Sequence, residues 1–203
     1  MVKGNKEKCL RHMEGCRGAG TRVCALLLVA VLAASALSGC GGDAPAEQAE
    51  NTIEAAVGDT VPLEGGGMSF EIKGVSEEEE VKPSDPSGYF YYYEDIEGWH
   101  YYVVSGVIHN PEQEILSPED FDVQAVRGNS LYETKAAMEN SSASTFMGKG
   151  EETVAESPGL FLIVMVEDGK EPPKEVTLYY NEGLGEKKDT EQWDHGIRIS
   201  VNK

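Results

Sequence analysis

The 203-residue chain predicts an all-β domain, an antiparallel β-sandwich of about seven to nine short strands behind an export leader and a flexible tether. Three observations lead there. Apolar side chains recur at every second position through several stretches, the period of a strand with one buried face. Clusters of Gly, Pro, Asn and Asp punctuate these stretches as turns do. An alternating helix and strand pattern, the mark of a parallel sheet, fits the chain less well.

The first element is the leader. Lys3, Lys6, Lys8, Arg11, Arg17 and Arg22 stand against only Glu7 and Glu14, a cationic face of the kind that stays cytoplasmic during export. The apolar run from Val23 to Leu37 is 15 residues long, whereas crossing a bilayer's hydrocarbon core takes roughly 18 to 20. Residues 1–39 are therefore expected to be a signal-peptide helix and not a permanent span. Leu37-Ser38-Gly39-Cys40 resembles the bacterial lipoprotein signal. That resemblance implies acylation of the Cys40 thiol, with palmitate among the chains, and removal of the leader. It also implies residence on the extracytoplasmic face of the bacterial membrane, where more than one acyl chain is needed for stable anchoring.

Residues 40–58 are predicted to be the tether. From Gly41 to about Val57 small and acidic residues predominate without apolar periodicity, a composition that stays solvated. Thr52 to Ala56 offers at most a helical turn. The folded domain is expected over residues 59–203. Met68, Phe70 and Ile72 alternate with Ser69, Glu71 and Lys73 and share one strand face. Ser76 to Ser87, with four glutamates and two prolines, is expected as an exposed loop. Trp99 to Ile108 is a long strand, and its continuous aromatic and β-branched content predicts burial on both faces or a central place in a sheet. Asn110-Pro111 ends it. Ser117-Pro118-Glu119-Asp120 places a capping serine before a proline, so a single helical or 3₁₀ turn is expected. Phe121, Val123 and Ala125 resume the alternation, and Gly128-Asn129 turns the chain toward Leu131 and Tyr132. Leu160 to Val166 is an unbroken run of seven apolar residues, a central core strand. Val176, Leu178 and Tyr180 form a further strand, and Ile197, Ile199 and Val201 the closing one.

The segments Tyr102 to Asn110, Phe121-Asp122-Val123, Gly150-Glu151-Glu152-Thr153, Leu160 to Val166 and Leu178-Tyr179-Tyr180 occur in this order over roughly residues 60–183. Together they resemble a domain-of-unknown-function family of bacterial lipoproteins, similar to a secreted mycobacterial immunoprotective antigen. The resemblance implies an immunoglobulin-like sandwich and supplies no active site. The chain departs from the family at Lys149, where a proline is usual, and at Met165-Val166-Glu167-Asp168, where the long strand usually ends in Phe-x-Val-Pro.

Charge narrows the partners. The formal net charge is −19. Loss of the leader removes six of the 17 basic residues and two of the 36 acidic ones, leaving 11 against 34, about −23. Such a surface repels phosphate backbones and anionic headgroups, which argues against nucleic acid. The membrane is met through lipid on Cys40, and the remaining partners are an envelope protein, a peptide or a glycan. Cys9, Cys16 and Cys24 all lie in the leader, so the mature chain has no disulfide and must bury enough apolar surface unaided.

The densest local feature is aromatic. Tyr89, Phe90, Tyr91, Tyr92, Tyr93, Trp99, Tyr101 and Tyr102 place eight of the 16 aromatic residues within 14 positions. They flank the acidic stretch from Glu94 to Gly98, and a hairpin with facing aromatic strands is expected. Tyr89, Tyr91, Tyr93, Trp99 and Tyr101 are the candidate recognition surface, since tyrosine pairs an apolar ring with a polar tip. The other reading is cross-strand packing. Glu94, Asp95 and Glu97 are weak calcium candidates, because calcium takes six to eight oxygens and the acids here lack an EF-hand spacing. That alternative makes the domain a calcium-dependent sensor or adhesin. An envelope hydrolase ranks lower, because no nucleophile elbow, zinc helix or phosphate loop occurs. His100 and His109 differ by nine and face opposite ways on one strand, and His195 is expected in a turn. A non-catalytic binding or structural module without a cofactor is thus expected.

Overall fold

A computed structural model describes residues 49–63, 67–184 and 193–201 of the chain. The leader, Cys40 and residues 40–48 of the tether lie outside them. Among the described residues ten strands build two five-stranded sheets. They are β1 (Ala49–Ala55), β2 (Thr60–Leu63), β3 (Met68–Glu78), β4 (Trp99–His109), β5 (Phe121–Arg127), β6 (Ser130–Leu131), β7 (Glu133–Met138), β8 (Gly159–Glu167), β9 (Glu175–Tyr180) and β10 (Trp193–Ser200). The first sheet runs β1-β10-β9-β5-β6 and the second β2-β3-β4-β8-β7. Within this order β10-β9-β5 and β3-β4-β8-β7 reproduce the three-strand and four-strand sheets of an immunoglobulin constant-type sandwich, with β1, β2 and β6 added at their edges.

The main core is the space between the sheets, filled by the alternate residues that the period-two pattern predicts. Phe70, Ile72, Val104, Ile108, Leu160, Leu162 and Val164 from the second sheet meet Val123, Val176, Leu178, Ile197 and Ile199 from the first, all buried. Gly106 sits mid-strand in β4 because the Phe70 ring occupies the space above it. A Cβ built there lies 2.3 Å from Phe70 Cε2 and 2.6 Å from the Glu71 carbonyl, distances no side chain tolerates.

Before β5 the expected single turn forms as a 3₁₀ turn, Pro118–Asp120. Ser117 caps it, and the Asp120 carboxylate accepts from the Ser117 N–H at 2.7 Å in a reciprocal capping box.

Four local expectations are corrected. The tether does not extend to residue 58, because Ala49–Ala55 pairs in parallel with β10. An edge strand needs backbone partners and only one apolar face; here Ala49 and Ala55 are buried and Glu54 accepts from Arg198 at 2.8 Å. The loop expected from Ser76 begins later, since β3 runs on to Glu78 through an irregularity between Ile72 and Gly74 that resets its register against β4. The aromatic hairpin does not form: residues 82–98 carry only isolated bridges, Val81 with Tyr93 and Ile96 with Trp99. His195 lies in β10 and not in a turn, its ring stacked on Tyr180 at 5.1 Å.

Candidate functional site: the outer face of the second sheet

Side chains alternate across a strand, so the residues of β4 and β8 that avoid the main core all emerge on the outer face of the second sheet. Among them Tyr101 and Val103 on β4 and Phe161, Ile163 and Met165 on β8 form an apolar patch. A sheet face this apolar cannot stay bare, and the segment between β3 and β4 covers part of it. Val81 and Tyr93 exchange two backbone hydrogen bonds of 3.0 Å, closing residues 81–93 into a loop. That loop is stitched to the chain after β7. The Ser84 N–H donates to the buried carboxylate of Glu139, the Asp85 N–H to the Ala143 carbonyl at 3.1 Å, and the Tyr91 N–H to Thr145 Oγ1 at 2.8 Å. Phe146, from the same stretch, completes an aromatic cluster with its ring centroid 5.7 Å from Tyr93 and 5.3 Å from Phe161.

The five aromatic candidates divide accordingly. Tyr101 is buried and its hydroxyl donates to the Glu94 carbonyl at 2.8 Å. Tyr93 packs edge-on against it at 6.2 Å. Both are packing residues of the covered face. Burial, with the neighbouring Tyr101 adding to it, pushes the Tyr93 phenol up to about 12. Burial also raises Tyr101, with the charges of Asp95, Glu94 and Glu133 adding to it. Tyr89 and Tyr91 point outward, 88% and 59% exposed, with ring centroids 5.9 Å apart. Tyr92 joins them at the surface, with the Lys82 ammonium 5.7 Å above its ring.

Trp99 belongs to a third group. With Met165, Leu131, Glu133 and Glu167 it lines an open groove of about 510 Å³ where the outer face passes the β5–β6 edge. The pairing register explains the groove: Trp99 lies opposite Glu167, while Tyr101, Met165 and Glu133 form one row across β4, β8 and β7. Gly98, at φ 85°, allows the tight turn that aims Trp99 there, and its carbonyl accepts from the Asp168 N–H at 2.9 Å. Leu131 and Met165 were missed in the sequence because their neighbours in space are set by register and not by spacing.

Glu94, Asp95 and Glu97 are exposed along the 94–98 turn, and no three histidine, cysteine or acidic side chains gather around a metal-sized site among the described residues. His100 is held between two carboxylates, Nε2 3.1 Å from Glu77 and Nδ1 3.2 Å from Asp168. His109 lies on the opposite face of β4, 2.9 Å from Glu71. The Lys73 ammonium and then His109 hold the Glu71 carboxyl below the usual range.

The chain matches no family model, and it matches no curated protein. Among solved structures it is similar to an uncharacterised β-sandwich protein from Clostridium difficile 630, at 15% identity and a TM-score of 0.54, covering 79% of this chain and all of that one. The yjhA protein from Bacillus subtilis is also matched, at 15% identity and a TM-score of 0.38, over 71% of this chain and 99% of that one. The first of these similarities shows a shared β-sandwich.

Proposed function

We propose that the protein is a lipid-anchored module on the extracytoplasmic face of a bacterial membrane, without catalytic activity, that binds an envelope protein, peptide or glycan through its tyrosine loop. The observation that carries this reading is the pairing of exposed rings with a fixed backbone. Tyr89 and Tyr91 are largely solvent-exposed, yet the backbone beneath them is held by Val81, Thr145 and Glu139. A recognition surface gains from such preorganisation, because little ordering entropy remains to be lost on binding. The anchor rests on the lipobox-like Leu37-Ser38-Gly39-Cys40, and the sandwich agrees with the lipoprotein family that the strand motifs resemble.

Two measurements test the reading. Cys40→Ser in the native host releases the chain from the membrane fraction and removes the acyl mass; retention of the variant in the membrane overturns the anchor. Tyr89→Ser with Tyr91→Ser abolishes the binding of a partner captured by the full chain while the melting temperature holds. Binding that survives the double substitution overturns the tyrosine loop as the contact surface.

A further inference from the structure

We infer that the groove beside Trp99 is a second site, apart from the tyrosine loop, which takes an arginine side chain of a cationic peptide segment. Its chemistry is that of a guanidinium receptor. Trp99, 39% exposed, supplies an indole, the aromatic surface that attracts a flat cation best. Met165 and the exposed Leu131 offer an apolar track for the methylene stem. In the strand register Glu133 lies beside Met165 and Glu167 opposite Trp99, and neither forms a salt bridge among the described residues.

Charge decides the occupant. Three carboxylates of the lining, Glu133, Glu167 and Glu171, outnumber its two cations, Arg127 and Lys170. Arg127 is already engaged, pairing with Glu171 and donating to the Pro172 carbonyl at 2.7 Å. Lys170, exposed, is the remaining cation of the lining. Asp95 and Glu94, which with Glu133 lift the Tyr101 phenol, add their field at the same end of β4. The chain's net charge of −19 draws cationic segments in and repels anionic ones. A free metal ion is a poor occupant, because a groove walled by Trp, Met and Leu supplies too few oxygens.

The test uses the full chain in nonionic detergent with Trp193→Phe, so that Trp99 is the single emitting indole of the two in the sequence. The probe is a tetra-arginine amide, and a tetra-aspartate peptide of equal length serves as control. Tetra-arginine is expected to shift Trp99 emission saturably, and tetra-aspartate to leave it unchanged. Glu133→Gln with Glu167→Gln is expected to weaken tetra-arginine binding about tenfold, with an unchanged melting temperature since both residues are exposed. Glu112→Gln with Glu152→Gln removes equal charge elsewhere and is expected to weaken it less than about twofold. Equal weakening by the two pairs, binding that leaves Trp99 emission unmoved, or no binding at all overturns the proposal.

Discussion

The two faces of the second sheet bury apolar side chains by different means. On the inner face, Val104, Leu162 and Val164 interlock with Val123, Leu178 and Ile197 of the facing sheet. On the outer face, Tyr101, Val103 and Ile163 are closed over by single residues from loops, Val81, Tyr93 and Phe146. The inner cover is a sheet, held by ladders of backbone hydrogen bonds. The outer cover is a loop whose attachment rests on a few contacts, chiefly Glu139 with Ser84 and the bridge from Val81 to Tyr93. A core roofed by a sheet opens only with the whole domain, whereas one roofed by a loop opens locally. The exposed tyrosines are carried by this loop, whose closed state holds them on a fixed backbone.

The largest effect comes from attacking the inner face. Gly106→Val places side-chain carbons where Phe70 and the Glu71 carbonyl already stand. We expect a loss of about 3 kcal/mol or more, seen as a lower urea midpoint for the whole domain with no separate early transition. A variant that unfolds at the wild-type midpoint breaks the picture of a tightly interlocked inner core.

High pH attacks the outer face. Folding holds the Tyr93 phenol neutral, its pKa raised from 10.0 to about 12 by burial. The folded state therefore keeps a proton that the unfolded state has lost. The stabilisation is complete below about pH 10 and disappears as pH rises through about 12, amounting to roughly 2–3 kcal/mol. In Tyr93→Phe the decline over this window shrinks, leaving the part due to Tyr101 and to Tyr102 of the inner face, which burial raises in the same direction. Urea titrations of both proteins between pH 9 and 12, the window set by these raised phenols, check this. Equal declines place the alkaline loss elsewhere.

Phe146→Ala is gentler still. It removes the ring between Tyr93 and Phe161, at a cost of about 2 kcal/mol, limited because the loop detaches before the sandwich gives way. Amide exchange is expected to quicken at Val81 and Tyr93 while β4 and β9 stay protected. Uniform acceleration across all strands joins the two cores into one cooperative unit.

The inner face was legible in the sequence, because alternation carries its own geometry. Phe70 and Ile72, Val123 and Ala125, and Ile197 and Ile199 fall where period two places them, and the apolar run from Leu160 to Val166 announces a strand buried on both sides. What covers the second side was not legible. Phe146 lies between Thr145 and Met147 in a stretch without periodicity, and nothing local ties it to Tyr93, 53 positions earlier. The tyrosine run misled for the same reason. Tyr91, Tyr92 and Tyr93 carry strong strand propensity, yet Pro83 and Pro86 withhold backbone donors upstream of them and tertiary bonds to Thr145 and Val81 set their conformation. Residues 49–55 read as tether because small and acidic residues prevail there without apolar periodicity; their order comes from the β10 edge, which any chain with free backbone groups can extend.

The smallest effect separates tyrosines that lie side by side in sequence. Tyr89 and Tyr91 pack edge-on against each other and both rings are exposed, so replacing both with serine removes little buried surface. We expect stability to change by less than about 0.5 kcal/mol. Tyr93→Ser removes a ring that contacts Tyr101 and Phe146 and is expected to cost about 2 kcal/mol or more, close to the effect of Phe146→Ala. Thermal melts of the two variants side by side measure the difference. If the Tyr89 and Tyr91 pair costs as much as Tyr93, the outward rings are structural and the loop has no face to spare for a partner. If the pair costs nothing, the two rings are held at the surface at no gain to folding, and binding becomes the physical reason for placing large apolar groups there.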